Sequence, residues 1–180
     1  MLITDALQAI VDSFRADNPD KADRVVAIIQ AASHGEITSE QSRQQVAAEL
    51  EITVDEYVHR LRTEEVKNQT LLDYILQLKQ SYKIGLLSNI SPSGLEARFS
   101  KDELAGHFDA IAASGVIGYA KPEPQAYEIV AEMLGARLEE CVMVDDREDY
   151  CNGARAVGMQ AIQYIGFDQL KTDLAKLLQA

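Results

Sequence analysis

The residues best equipped for chemistry in this chain are Ser88, Lys121, Asp145 and Asp146, each at or just beyond a short apolar run. Ser88 and Asn89 close KIGLLSN, Lys121 opens KPEP, and the two aspartates close ECVMVDD. A hydroxyl with nearby backbone N–H groups holds phosphate oxygens, and an ammonium neutralises their charge. Two adjacent carboxylates supply hard oxygen ligands for Mg²⁺, which takes one or two protein carboxylates and keeps several waters. Singly, each has a plain structural explanation. A serine at a strand end is a turn residue, a lysine before proline is a solvated loop residue, and an Asp pair is a helix N-cap. Together, in this order and at strand ends, they read as a phosphoryl-transfer site that works by position and electrostatics.

Such residues need a frame. Four short apolar runs, around Leu86, Ile111, Val144 and Ile162, alternate with the helical stretches SGLEARF, PQAYEIVAEMLG, REDYCNGARAVG and FDQLKTDLAKLLQA. This alternation predicts an α/β core over residues 81–180, a Rossmann-like parallel sheet with helices on both faces. Ligands bind beyond the carboxyl ends of the strands in such a sheet, where the four residues fall. Residues 1–80 read as helices throughout. Leu2, Ala6, Leu7, Ile10, Val11 and Phe14 share one face at helical spacing. Asn18-Pro19 opens a second helix, and the pairs Thr38/Gln41 and Thr53/Glu56 have capping-box spacing. Leu71, Leu72, Ile75 and Leu78 form the stripe of a fifth helix. A separate helical domain is therefore expected ahead of the core.

Composition narrows the function further. Seventeen basic and 29 acidic residues give a net charge of −12, which disfavours nucleic acid and anionic membranes as partners. A phosphate site in such a chain needs a local positive pocket. The two cysteines, Cys141 and Cys151, make no disulfide framework, and Cys141 reads as a small buried hydrophobe. A reducing cytoplasm is the expected setting. The first residues lack a basic stretch and carry Asp5 and Asp12, unlike a signal peptide. No apolar run reaches the ~18 residues of a membrane span.

The segments LLSN, AKPEP and MVDD, in that order, resemble the haloacid dehalogenase superfamily of hydrolases, most of them Mg²⁺-dependent phosphatases. The likeness covers residues 80–165. It implies that Ser88 and Asn89 bind phosphate and that Lys121 steadies the phosphate and the nucleophile. It also implies that Asp146 coordinates Mg²⁺ directly, with Asp145 in a water-mediated or supporting role. The helical region, with HGEITSEQ at residues 34–41, resembles the cap that closes over the site in one branch of the superfamily. The implied reaction is hydrolysis of a small phosphorylated metabolite through an aspartyl-phosphate.

Two features depart from the family pattern. The family's first motif is a strand ending in the nucleophilic aspartate, and MLITDAL resembles the stretch just after it. Asp5 falls in the first helix pattern and cannot replace that nucleophile. The first, central core strand, between the LLSN and MVDD strands, is thus expected to be absent. Three arrangements would answer this: the two neighbours close up and pair directly, another chain donates a strand, or the chain is a truncated or misassigned form of a longer protein. The third is taken as the origin and the first as its structural consequence. Unpaired sheet edges would also favour self-association. The second departure is Tyr150, where many relatives carry Asn.

The remaining candidates read as structural. His34, His59 and His107 fit no ligand spacing. Arg147 either reaches phosphate or braces its loop, and Tyr119 and Tyr150 serve packing or loop support. The expected function is a phosphatase that is inactive without its nucleophile. The alternative is a non-catalytic binding or interaction module of the same fold. A response-regulator receiver uses similar residues, but there the acidic pair does not come last.

Overall fold

The computed structural model describes residues 2, 6–33, 36–64 and 66–178. Asp5 and His34 lie outside them. Residues 6–64 form four helices, α1 (Ala6–Arg15), α2 (Pro19–Ser33), α3 (Ser39–Leu50) and α4 (Val54–Glu64). Thr38 caps α3 through a reciprocal pair: its hydroxyl accepts from the Gln41 N–H at 3.1 Å, and Gln41 Oε1 accepts from the Thr38 N–H at 2.8 Å. The Thr53 hydroxyl likewise accepts from the Glu56 N–H at 3.1 Å. Val11, Ala22, Val25, Val46 and Tyr57 are buried against one another as the core of this unit.

Helix α5 (Gln69–Leu78) turns its apolar stripe elsewhere. Leu72 packs with Leu86, Leu95 and Phe108, whereas Leu71 packs with Ile162, Leu170 and Leu174. The chain then runs through β1 (Gly85–Ser88), α6 (Pro92–Glu96), α7 (Lys101–His107), β2 (Ala110–Ala113), α8 (Ser114–Ile117) and α9 (Pro124–Leu134). A 3₁₀ turn at Leu138–Glu140 leads into β3 (Val142–Asp145), α10 (Glu148–Ala156), β4 (Gln160–Gln163) and α11 (Phe167–Leu178). The expected α/β class is the one observed. The strands are parallel in pairs. Gly85 lies opposite Ala110 and Ser88 opposite Ala113, while Val142 lies opposite Gln160 and Asp145 opposite Gln163.

The two pairs are separate sheets, β1–β2 and β3–β4. The expectation that the LLSN and MVDD strands close up and pair directly is therefore corrected: no ladder joins β1 to β3 among the described residues. Helices on both faces span the two pairs. On one face Val130 and Ala131 of α9 are buried with Leu87 and Ala112 of the first pair, and with Ala154 and Met159 beside the second. On the other, Leu71 and Leu72 of α5 reach one pair each. Helix and strand are in tight contact here, since a Cβ on Gly85 would meet Val130 and Leu134 at 3.0 Å. Packing to shared helices fixes each pair, and the pairs do not slide together.

The cysteine reading is also corrected. Cys141 precedes β3 and is only partly buried, while Cys151 of α10 is fully buried, with Sγ 3.6 Å from the carbonyls of Asp145 and Ile162. Burial raises the Cys151 thiol above its ordinary pKa. Cys141 stands one residue ahead of β3, which begins at Val142, whereas Cys151 lies inside α10.

Helix α7 closes its own capping box: Ser100 Oγ accepts from the Glu103 N–H at 3.1 Å, and the Glu103 carboxylate accepts from the Ser100 N–H at 2.8 Å. Glu103 also pairs with Lys67 Nζ at 2.5 Å, tying the segment before α5 to α7. The lysine hydrogen bond, followed by that from the Ser100 N–H, holds the Glu103 carboxyl at about 2 against an ordinary 4.5. A depressed folded-state pKa gives stability that is complete above the unfolded value and is lost as pH falls through the folded one. Acid titration followed by circular dichroism should show a loss of stability from about pH 4.5 towards pH 2 that is smaller in Glu103→Gln.

Candidate active site

The carboxyl ends of β1 and β3 open onto one cavity of about 1570 Å³, lined by Ser88, Asn89, Lys121, Asp145 and Asp146. The same cavity reaches Val26, Ile29, Arg43 and Tyr57 of the helical unit. All five site residues anticipated from the sequence thus meet in one place, although up to 58 positions separate them along the chain (Ser88 to Asp146).

Asn89 anchors the lysine loop. Its Oδ1 accepts from the Lys121 N–H at 2.7 Å, and its Nδ2 donates to the Lys121 carbonyl at 2.8 Å and to the Tyr150 hydroxyl at 3.2 Å. Clamped at both backbone groups, Lys121 extends its ammonium to Asp145 Oδ2 at 2.5 Å. Both side chains are nearly sealed from solvent, at 8% and 7% exposure. Asp145 Oδ1 accepts from the Arg147 N–H at 3.0 Å, which turns the chain out of β3 into α10. Asp146 is exposed one residue further on, and its carbonyl accepts from Gln163 Nε2 at 3.1 Å.

Tyr150 contributes more than the sequence signalled. Its ring lies beneath two cations, with Lys121 Nζ 4.9 Å and the Arg147 guanidinium carbon 4.4 Å from the centroid. A cation over an aromatic face is attracted by the ring quadrupole. The ring therefore positions both cations beside the acidic pair. Arg147 is further fixed by Asp149, at 2.6 Å and 3.0 Å, and this hydrogen bond lowers the Asp149 pKa. Arg147 thus braces its own loop, one of the two roles open to it from sequence. Tyr119 is exposed rather than packed. His59 is exposed on α4, and His107 donates to the Glu103 carbonyl at the end of α7.

The backbone behind Tyr150 is held by Tyr127, a fully buried residue whose hydroxyl donates to the Tyr150 carbonyl at 2.7 Å. Burial raises the Tyr127 pKa far above that of an ordinary phenol, so it stays a donor at any working pH. Gly153 makes room for this contact. A Cβ there would lie 2.7 Å from the Tyr127 hydroxyl, 2.9 Å from Pro122 Cβ and 3.0 Å from the Pro122 carbonyl. Gly153→Ala should destabilise the chain by about 1–3 kcal/mol, measured by urea unfolding, because both neighbours are hemmed in.

Among the described residues, no three His, Cys, Asp or Glu side chains converge as a metal cluster. The two carboxylates still fit Mg²⁺ as a partial set. Asp146 is open to solvent, Asp145 retains unshared lone pairs, and Mg²⁺ completes its shell with water.

Comparison with known proteins places this fold. A parallel α/β core with a helical unit ahead of it is shared with a haloacid dehalogenase family enzyme of Bacteroides thetaiotaomicron. The TM-score is 0.76 at 20% identity, covering 96% of this chain and 93% of the other. A structure of that enzyme in complex with magnesium and inorganic phosphate aligns at a TM-score of 0.66 and 22% identity, over 76% of this chain and 73% of the other. The family model for haloacid dehalogenase-like hydrolases matches residues 3–158, and the chain belongs to that family. In sequence it is 26% identical over 176 residues to the D-ribitol-5-phosphate phosphatase of Bacteroides thetaiotaomicron, covering 88% of this chain and 82% of that one. It is 39% identical over 85 residues to phosphatase MT3486 of Mycobacterium tuberculosis, 46% of this chain. The chain spans 39%, 28% and 11% of the lengths of three curated relatives it matches.

Proposed function

We propose that the strand ends form the phosphate- and Mg²⁺-binding part of a phosphatase site for a small phosphorylated metabolite. The observation that carries this reading is the buried Lys121–Asp145 pair, held beside Ser88 by the Asn89 clamp. In a chain of net charge −12, a phosphate must find its positive partner locally, and Lys121 is preset for it. Ser88 would bind a phosphoryl oxygen through its hydroxyl, Asn89 would keep the lysine loop in place, and Asp146 with Asp145 would hold Mg²⁺. A bound Mg²⁺ supplies charge neutralisation at the phosphoryl oxygens. Residues 1–80 would act as a cap that excludes water and selects the substrate, over a core of residues 81–180. A cytoplasmic setting agrees with this chemistry, and no helix among the described residues is long and apolar enough to cross a membrane.

Hydrolysis through an aspartyl-phosphate needs a carboxylate free to attack phosphorus, with the leaving oxygen taking a proton. Asp145 is committed to Lys121 and to the Arg147 N–H, and Asp146 is assigned to the metal. The described residues bring no third carboxylate to the pair. The chain alone should therefore bind Mg²⁺ and phosphate without turning over. That same observation favours a second reading, a non-catalytic binding module with the fold of the family. Titration calorimetry with Mg²⁺ and inorganic phosphate tests the shared part. Binding that weakens about tenfold or more in Ser88→Ala supports the phosphate site. Unchanged affinity in that variant, or no binding by the parent chain, rejects it.

A further inference from the structure

Two demands fall on one lysine in this site. Lys121 carries the ammonium that a phosphate needs, yet that ammonium lies 2.5 Å from Asp145 Oδ2, and Asp145 belongs to the pair that would hold Mg²⁺. A metal ion on Asp145 draws off the negative charge that keeps the ammonium in place and adds a repulsive charge of its own. Arg147, which shares the Tyr150 ring with Lys121, adds to that repulsion. The Lys121 backbone is secured, because Asn89 bonds both its N–H and its carbonyl. The lysine side chain does not share that clamp, so its ammonium can swing away once Asp145 turns to the metal.

The ring of Tyr150 offers the ammonium a second hold, with Nζ 4.9 Å from the centroid. A ring quadrupole, unlike a carboxylate, is not claimed by a hard cation that prefers oxygen. The ring is also fixed independently of the lysine side chain. The Tyr150 carbonyl accepts from the buried Tyr127 hydroxyl at 2.7 Å, and its own hydroxyl accepts from Asn89 Nδ2 at 3.2 Å. One Asn89 side chain thus sets both the lysine backbone and the ring. Tyr150 is half-buried beside the cavity, where water screens a cation over an aromatic face less than at an open surface. We propose that Tyr150 is a positioning residue for Lys121: its ring retains the ammonium within the site when Mg²⁺ engages Asp145, so that metal and phosphate bind together and not in competition. This rests on the phosphatase reading of the strand ends and adds to it a residue that the sequence assigns to packing or loop support.

Calorimetric titration of the full chain with inorganic phosphate, with and without saturating Mg²⁺, tests this in the parent, Tyr150→Phe and Tyr150→Leu. Both variants lose the hydroxyl, and only the second loses the ring. Tyr150→Leu should weaken phosphate binding about tenfold in Mg²⁺ but less than about threefold without it, because Asp145 then still holds the ammonium. Tyr150→Phe should stay within about twofold of the parent in both conditions. Equal losses with and without the metal would mark a merely structural ring and overturn the proposal. So would a Phe variant as weak as the Leu variant, which assigns the effect to the hydroxyl, or a Leu variant that matches the parent. Absence of phosphate binding by the parent rejects the site reading itself. The hold on Lys121 is then read by NMR from its ε-methylene protons, which needs no substitution. Through the ring current of Tyr150 these should lie upfield of an exposed lysine's and stay there as Mg²⁺ is added. Their return to the exposed position on adding Mg²⁺, or no Mg²⁺ binding at all, would overturn the proposal.

Discussion

Lys121→Met should cost the chain about 3–5 kcal/mol, lowering its melting temperature by roughly 10 °C. The substitution removes the ammonium from a carboxylate that is 7% exposed and leaves Asp145 charged beneath α10 with one hydrogen bond, from the Arg147 N–H. A buried charge stripped of its partner is far more damaging than the loss of the pair as a whole. The double variant Lys121→Met/Asp145→Asn should therefore recover most of the loss, since the new amide would be neutral and its oxygen would still accept from the Arg147 N–H. Urea unfolding of the two single variants and the double variant forms a complete cycle. A coupling energy below about 1 kcal/mol would mean that the pair is screened, contrary to its burial.

Asp146→Asn should weaken Mg²⁺ binding by about 100-fold, because a hard cation loses one of the two adjacent anionic ligands. Its neighbour should matter differently. Asp145 faces Lys121 inside the site, so Asp145→Asn should lower stability as well as affinity, whereas Asp146 is an exposed residue outside that ion pair. Calorimetric titration with Mg²⁺, alongside thermal melts, separates the two. Equal effects of both substitutions on affinity and on melting temperature would contradict the division of labour between the aspartates.

Much of this arrangement is legible in the sequence because it is local. Thr38 and Gln41 announce the start of α3, and the apolar runs at Leu86, Ile111, Val144 and Ile162 each become a strand. The site follows from the same logic, since strand ends in a parallel α/β fold bring together residues far apart in the chain. Helix α7 is not in that reading, although Ser100 and Glu103 carry the capping-box spacing that builds it. What local pattern cannot express is long-range packing. The separation of β1 from β3 depends on α5 and α9 each gripping both strand pairs. The place of Tyr150 beneath two cations depends on Lys121 lying 29 positions upstream in another loop, and no spacing rule connects them. Cys141, read as a buried hydrophobe, lies just ahead of β3 and is only partly buried, while Cys151 of α10 is sealed, a difference that no local pattern expresses.

The most direct test of the central claim is Mg²⁺-dependent hydrolysis of an aryl phosphate by two proteins and a control. One is this chain; the other carries an added N-terminal apolar strand ending in aspartate, with an asparagine version as its control. All three should bind Mg²⁺, only the aspartate version should turn over, and Lys121→Met should abolish turnover in it. Turnover by the unextended chain at a comparable rate would contradict the claim, because the residues described around Lys121 and the two aspartates would then already include a nucleophile.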